Sequence, residues 1–269
     1  MEKKKAWEMF KKTGKIEYYL EYKKKWSIMI KSVDGIVVSE TNYGETSKII
    51  NILTKDGIIG IIAKGARSIK SPLRIYAQKF IYAKFHIYYK EGKLSILSSA
   101  DIINNLENIK TDIILIGYMS YISDLINQTM KHNFDEKLYD LYIESILKIN
   151  EGLNPKIICN ILEIKVLDYL GVGINFDGCI KCKSPANIVT INADAGGYLC
   201  KNCYKDELCY SDKTINMIRM YYLVEISSIS NLKISTEVIN DINQFITNYY
   251  ERYTGLYLKS KKFLETVRT

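Results

Sequence analysis

Two cysteine pairs in the second half of the chain constrain its fold more than any other feature. Two residues separate Cys179 from Cys182, and seventeen residues later the same spacing recurs between Cys200 and Cys203. A two-residue gap lets one tight turn aim both sulfurs at a single ion, and a second pair completes a tetrahedron about 2.3 Å from the metal. The spacing predicts a zinc-binding module at residues 179–203, whereas two unrelated pairs of buried thiols or disulfides would need no such regularity.

The predicted zinc ion is structural. Four thiolates fill every position of a tetrahedral site and leave none for a reacting water molecule. Between the two pairs, Ile188–Ile191 is followed by Gly196 and Gly197, a pattern that predicts a short β-hairpin returning to the second pair. Zn2+ would therefore contribute folding free energy to the module.

Length and composition indicate an intracellular protein of more than one unit. The 269 residues exceed one average domain, and a hydrophobic content of 47% suffices for a buried core. The sequence contains no run of eighteen apolar residues, so no membrane-spanning helix is predicted. The lysine-rich start lacks the apolar segment of a secretion signal. Cys159 and Cys209 show no pairing pattern. We therefore expect a reducing, cytoplasmic location.

Positive charge is concentrated in the first part of the chain. The net charge is +8, yet residues 1–100 hold 20 Lys and Arg against 9 Asp and Glu, and the remainder holds 18 against 21. This asymmetry indicates that the first part meets a polyanion. The alternative is a solvated surface that is merely rich in lysine.

Residues 30–101 follow the period of two that is typical of β-strands. Turn residues separate five strand candidates, which are Ile36–Val38, Ile49–Leu53, Ile58–Ala63, Phe80–Tyr89 and Leu94–Leu97. Five short strands over about seventy residues predict an OB-fold barrel. The preceding residues 1–29 form a basic leader that we expect to be poorly ordered.

The fourth strand predicts a nucleic-acid-binding face. Its inward positions are Ile81, Ala83, Phe85 and Ile87, and its outward positions are Phe80, Tyr82, Lys84, His86 and Tyr88. A face with aromatic rings and basic side chains suits single-stranded nucleic acid, because nucleobases stack on the rings while ammonium groups contact phosphates. The alternative is that these aromatic residues pack under the helical domain that follows.

The segment before this strand carries four basic residues, and few apolar residues hold it down. They are Lys64, Arg67, Lys70 and Arg74. A basic connection beside a barrel is suited to bind phosphate groups, so we predict that these four residues contact the phosphates of a polyanion.

The rest of the chain is predicted to be a helical domain, formed by residues 102–178 and 204–269 around the zinc module. The predicted helices are Ile113–Met130, Phe134–Ile149, a third starting at Asn154-Pro155 and ending before Gly171, Thr214–Ile226, and a last one from about Ser235. The overall fold class is therefore α+β, with an N-terminal five-stranded OB-fold barrel followed by an all-helical domain that carries a four-cysteine zinc-finger insertion. The chain ends in a basic tail with apolar anchors.

Nothing in the sequence predicts an enzyme. The chain has no Gly-x4-Gly-Lys-Ser/Thr phosphate loop, and its two histidines, His86 and His132, lie outside any metal or triad motif. Its carboxylates are scattered, whereas a metal-dependent nuclease needs a cluster of them. We therefore expect no catalytic residue and no small-molecule substrate.

Several segments together resemble the RecO family of bacterial recombination mediators. They are Asn42-Tyr43-Gly44-Glu45-Thr46-Ser47-Lys48, Ala63-Lys64-Gly65-Ala66-Arg67, Gly171–Asp177 before the first cysteine pair, Gly196–Cys200 before the second, and the tail Leu258–Leu264. Each segment is weakly specific, but their order and spacing are distinctive. The resemblance covers residues 30–269, and the leader departs from it.

This resemblance implies a set of partners. A RecO-like protein would bind single- and double-stranded DNA of the nucleoid, anneal complementary strands and act with RecR. Together they would help the RecA recombinase replace single-strand-binding protein (SSB) on gapped DNA. The resemblance carries Lys64 and Arg67 over as phosphate contacts, while Lys70 and Arg74 follow from charge and proximity. The alternative function is a zinc-ribbon adaptor that acts through protein contacts only.

Overall fold

A long first strand begins the β-structure of this protein. The computed structural model describes residues 3–23, 29–90, 92–132 and 135–268. Five strands form a closed barrel in the order β1-β2-β3-β5-β4, and they are β1 (Met29–Tyr43), β2 (Ser47–Thr54), β3 (Gly57–Ala63), β4 (Tyr82–Tyr89) and β5 (Ser95–Asn104). β3 and β5 run parallel, with Ile61 opposite Ser95. This strand order is that of an OB-fold, so the predicted barrel is confirmed.

The barrel core follows the predicted alternation. Ile81, Ala83, Phe85 and Ile87 are completely buried, while the side chains between them are partly or fully exposed. Because successive side chains of a strand point to opposite faces, one face of β4 packs inside and the other stays outside.

β1 is much longer than the predicted Ile36–Val38 because it serves two neighbours. Near its start, Ser32 contacts His86 of β4, and further on Ser39 accepts a hydrogen bond from the Asn51 amide of β2 (2.9 Å). Only the middle of β1 is a continuous apolar run. The residues at its two ends are largely polar, so the apolar pattern of the sequence predicted only the middle of the strand.

Two helices occupy part of the leader, α1 (Lys3–Thr13) and α2 (Ile16–Lys23), and Gly14 separates them. They pack through aromatic rings, with the centroids of Phe10 and Tyr19 5.0 Å apart. Residues 1–2 and 24–28 of the leader lie outside the described residues. The expectation of poor order concerns motion and stays a prediction.

By the density of their contacts, the residues from Asn104 onward form a second compact unit, which also includes Leu53–Ile58 and Phe80–Tyr82. One short helix, α3 (Leu73–Tyr76), lies in the barrel unit after β3. The helices of the second unit are α4 (Glu107–Thr111), α5 (Ile113–His132), α6 (Glu136–Asn150), α7 (Pro155–Tyr169), α8 (Asp212–Leu223), α9 (Thr236–Tyr253) and α10 (Lys259–Arg268). α7 is the central helix, since it contacts α5, α6, α8 and α9. Most of its side chains are buried, as expected for a helix surrounded by others. The predicted helical region is thus confirmed.

The start and end of α7 agree with the sequence signals. The Asn154 side chain accepts hydrogen bonds from the backbone N–H groups of Lys156 and Ile157, and Pro155 is the first helical residue. Gly171 follows the helix with a φ of +73°, a left-handed conformation that glycine adopts without steric cost.

Other helix boundaries differ from the predictions. α6 starts at Glu136 with Asp135 as its cap, and the predicted start, Phe134, lies outside the described residues. α8 begins two residues early because Ser211 caps it, and Ile226 belongs to a separate 3-10 helix.

The C-terminal tail forms a helix that the sequence analysis did not predict. α10 packs on α5, where the Ser260 hydroxyl donates to Asp124 Oδ2 (2.8 Å) and the Gln128 amide donates to the Tyr257 carbonyl (3.1 Å). The apolar anchors Leu258 and Leu264 are buried. No helix among the described residues is long and apolar enough to span a membrane.

The cap of the central helix gives a test of this architecture. Replacing Asn154 with Ala should lower the free energy of unfolding by about 1 kcal/mol, because two backbone donors at the start of α7 lose their acceptor. Chemical denaturation followed by circular dichroism measures the change. Asn154→Asp keeps an acceptor oxygen and is the control, and equal midpoints for the Ala and Asp variants would contradict the role of the cap.

Candidate metal centre and nucleic-acid interface

The four predicted cysteines converge on one point. The sulfur atoms of Cys179, Cys182, Cys200 and Cys203 all lie within 4.8 Å of one another, and those of Cys182 and Cys200 are 3.6 Å apart. Tetrahedral coordination with bonds of about 2.3 Å places sulfurs about 3.8 Å apart. The four residues could therefore hold one metal ion, and the predicted grouping of the four thiols is confirmed.

Backbone hydrogen bonds shape the two cysteine turns. In the first, the Lys183 N–H donates to the Cys179 carbonyl (2.7 Å), and the Cys179 N–H donates to the Ser184 carbonyl (2.8 Å). In the second, the N–H groups of Cys203 and Tyr204 both donate to the Cys200 carbonyl. These hydrogen bonds define the course of the backbone through each turn.

A small hairpin connects the two turns, as predicted. β6 (Ile188–Asn192) pairs antiparallel with β7 (Gly197–Cys200). A side chain at Gly197 would place its Cβ 2.5 Å from the carbonyl oxygen of Asn175, so only glycine permits this approach. The hairpin therefore packs directly against the chain that leads into the first turn.

The protonation of the thiols reflects their crowding. Burial raises the pKa of the Cys179 thiol, but N–H groups of Cys182, Cys200 and Lys181 donate to its sulfur and together lower the pKa to about 6. A hydrogen bond with the Cys182 side chain is the largest of the effects that raise the pKa of the Cys203 thiol to about 12, and burial is the next largest. Ionisation of one sulfur opposes that of its neighbours. A bound dication removes this conflict, so the donor set fits a thiolate-binding metal.

The four predicted basic residues lie on a series of tight turns after β3, which we call the basic turns (residues 64–74). The Ser68 N–H donates to the Gly65 carbonyl, the Ser71 N–H to Ser68, and the Arg74 N–H to Ser71. Each turn thus begins at the residue where the preceding one ends. The four basic side chains are all exposed, and they are Lys64, Arg67, Lys70 and Arg74.

The basic turns are fastened to the connection between β1 and β2. The Arg67 N–H donates to the Thr46 carbonyl (2.8 Å), and its guanidinium donates to the Gly44 carbonyl (3.0 Å). The Gly65 N–H donates to Ser47 Oγ (3.3 Å). Arg67 therefore supports the turns as well as exposing charge. Among the described residues, Lys64, Lys70 and Arg74 form no ion pair, so their charges remain available.

The outer face of β4 has a more balanced charge than the basic turns. Tyr82, Lys84, His86 and Tyr88 point outward as predicted. However, the Lys84 ammonium lies 3.9 Å from the Asp34 carboxylate. This face therefore offers rings together with a partly neutralised charge.

A chain of hydrogen bonds across three strands contains His86. Its Nδ1 lies 2.7 Å from Ser32 Oγ of β1, and its Nε2 lies 2.8 Å from Asp101 Oδ2 of β5. A neutral imidazole satisfies both contacts when Nε2–H donates to the carboxylate and Nδ1 accepts from the hydroxyl. Sequence alone predicts only that His86 faces outward on the fourth strand, since no local spacing connects these three positions.

The placement of Phe80 on the outward face is wrong. Phe80 precedes β4, has a φ of +67° and is only 4% exposed. A left-handed residue breaks the alternation of a strand, so the pattern cannot be extended from Tyr82 back to Phe80. The Phe80 ring is therefore not available for stacking on a base.

Comparison with known proteins points to one family. The model described as Recombination protein O N terminal matches residues 29–106, and Recombination protein O C terminal matches residues 110–262. DNA repair protein RecO of Bacillus subtilis (strain 168) is 30% identical over 246 residues, which are 90% of this chain and 96% of that protein. The proteins of the same name from Bacillus velezensis and from Listeria monocytogenes serotype 4b are 31% and 30% identical, over 90% and 86% of this chain and 96% and 92% of theirs.

Proposed function

Because the chain belongs to the recombination protein O (RecO) family of DNA repair proteins, we propose that it binds single- and double-stranded DNA and anneals complementary strands. One observation carries the proposal. Three exposed cations, Lys64, Lys70 and Arg74, stand on hydrogen-bonded turns, and no carboxylate in the described part of the chain pairs with them.

The proposed mechanism is electrostatic and breaks no covalent bond. Each cation that meets a phosphate releases counterions from DNA, and this release favours binding regardless of base sequence. Two complementary strands repel each other through their phosphates. Positive charge held between them weakens that repulsion, so base pairing can begin.

The outer face of β4 would add stacking to this attraction. The rings of Tyr82 and Tyr88 can accept exposed bases, since every base has a π-face. Lys84 contributes less than the basic turns, because Asp34 lies beside it. We therefore propose that this face gives the protein a preference for single strands, and that the basic turns provide most of the phosphate contacts.

We further propose that the protein acts with RecR in the cytoplasm, on the DNA of the nucleoid. Together they would help RecA replace SSB on gapped DNA. The family membership supports this role. A mediator of this kind must compete for a coated strand reversibly, and ionic contacts form and dissolve without chemical change.

We propose zinc as the ion of the cysteine cluster. A tetrahedral site of four sulfurs is typical of zinc or of iron. Closed sites of four cysteines are among the usual structural zinc centres, and here all four ligands come from one small hairpin and its flanking turns. The ion would bind the two turns together and leave no position for a substrate.

The purified protein should contain about one zinc ion per chain. Cys182→Ser should lower the metal content and the thermal stability, because three sulfurs hold the ion less tightly than four. Cys209→Ser, which changes an exposed thiol outside the cluster, is the matched control. Elemental analysis and thermal denaturation measure both effects. Iron in place of zinc, or full zinc content in the Cys182 variant, would contradict the assignment.

Removing charge from the basic turns should flatten the salt dependence of DNA binding. For Lys64, Lys70 and Arg74 changed together to Ala, we expect the slope of log K against log salt to fall in magnitude by about 2 on single strands. Fluorescence anisotropy at a series of salt concentrations measures this slope. The control changes Lys131, Lys213 and Lys233, three exposed lysines of the helical unit, and removes the same net charge. Equal slopes for the two triple variants would exclude the basic turns from the interface.

An annealing assay separates the proposed function from the adaptor alternative. SSB-coated complementary strands should anneal faster when the protein is present, and the triple variant of the basic turns should lose most of this effect. The assay is run with and without RecR. A protein that binds no DNA at low salt yet still forms a complex with RecR would favour an adaptor that acts through protein contacts only.

A further inference from the structure

An aliphatic side chain projects from the middle of the basic turns. Ile69 is 86% exposed, the largest exposure of any large hydrophobic side chain among those the structure describes. Single exposed apolar residues are common and carry no meaning by themselves. Ile69 differs because of how it is held and because of what surrounds it.

The backbone presents Ile69 in a fixed position. Ser68 and Ser71 close a turn with a hydrogen bond of 3.1 Å, and Ile69 and Lys70 are the two central residues of that turn. The turn before it is anchored by the buried Ala66 and by the bonds of Arg67 to the β1–β2 connection. A backbone held in this way loses little conformational freedom when the turn binds a partner.

The surrounding charges select the partner. Arg67 and Lys70 flank Ile69 within two residues, and Arg74 follows in the next turn. An apolar protein surface would have to desolvate these cations, whereas nucleic acid offers phosphates to the cations and base faces to the aliphatic group. Tyr43, which is 50% exposed, precedes the Gly44 carbonyl that Arg67 binds and adds a ring on the same support.

We propose that Ile69 is a wedge that inserts between neighbouring bases while the flanking cations hold the phosphates. This inference rests on the proposed DNA binding and adds to it a specific contact. Aliphatic side chains that enter a base step unstack it, and the cost of a few kcal/mol is offset by burial and by the additional contacts. Unstacked bases expose their pairing edges, which would favour their pairing with a second strand.

The wedge and the cations should respond differently to salt. Ionic contacts weaken as salt rises, because each counterion that leaves the DNA gains less entropy in a more concentrated salt solution. Burial of the isoleucine is not screened in this way. Loss of the wedge should therefore lower affinity equally at all salt concentrations, whereas loss of the cations changes the slope.

Ile69→Ser tests the wedge on single strands that carry 2-aminopurine, a base whose fluorescence rises when it is unstacked. We expect affinity to fall about tenfold, which corresponds to ~1.4 kcal/mol, with the salt slope unchanged. The fluorescence rise at saturation should be lost. Ile69→Leu should retain both properties, and Leu223→Ser, which alters another exposed aliphatic residue (64%) in the helical unit, should behave like the unaltered protein.

The outcomes separate the wedge from the proposed function. If Ile69→Ser keeps full affinity and the full fluorescence rise, the wedge is wrong while DNA binding stands. If the variant binds DNA normally but loses its complex with RecR, Ile69 is a protein contact and the wedge is again wrong. If the unaltered protein binds no DNA at low salt, both proposals fail together.

Discussion

Backbone hydrogen bonds hold the basic turns in place without neutralising their charges. Amide and carbonyl groups supply the support, from Gly65 to the bond between Arg67 and Thr46. Carboxylates in the same role would have cancelled the positive charge of these turns. The outer face of β4 shows that other arrangement, since its cation Lys84 lies beside Asp34. The two candidate surfaces of the barrel therefore differ in charge because they are supported by different kinds of group.

The segment from Cys179 to Cys203 has a different physical basis, because few apolar side chains gather round its four sulfurs. The buried cluster beside the sulfurs consists of Leu199, Cys179 and Cys200, while Ile191 and Tyr198 of the hairpin are buried outside that cluster. A cluster this small offsets only part of the conformational entropy of ordering about twenty-five residues. With the proposed zinc ion bound, metal–sulfur bonds would add folding free energy, and the close approach of Gly197 to Asn175 joins the hairpin to the preceding chain.

The features that could be predicted from sequence are those that neighbouring residues determine. Three such features agree with the structure, and each lies within its own short segment of the chain. They are the spacing from Cys179 to Cys203, the alternation along β4 and the cap at Asn154. The features that were missed depend on distant segments. The support of the basic turns comes from carbonyl groups of the β1–β2 connection, and the contacts of His86 depend on the register of three strands. The prediction for Phe80 was wrong because Phe80 itself has a left-handed backbone conformation, which ends the alternation of the strand at that residue.

A mediator that anneals DNA must attract two strands and yet release the paired product. Charge alone attracts any polyphosphate, and it attracts a duplex at least as strongly as a single strand because the duplex has the higher charge density. Preference for unpaired bases requires an apolar contact that a closed, stacked duplex does not offer. Ile69 on the basic turns and the tyrosines of β4 are side chains of that kind. On the proposed function, pairing would bury the bases and remove these apolar contacts, so the protein would hold the duplex by its ionic contacts alone and would lose its added preference for the strands.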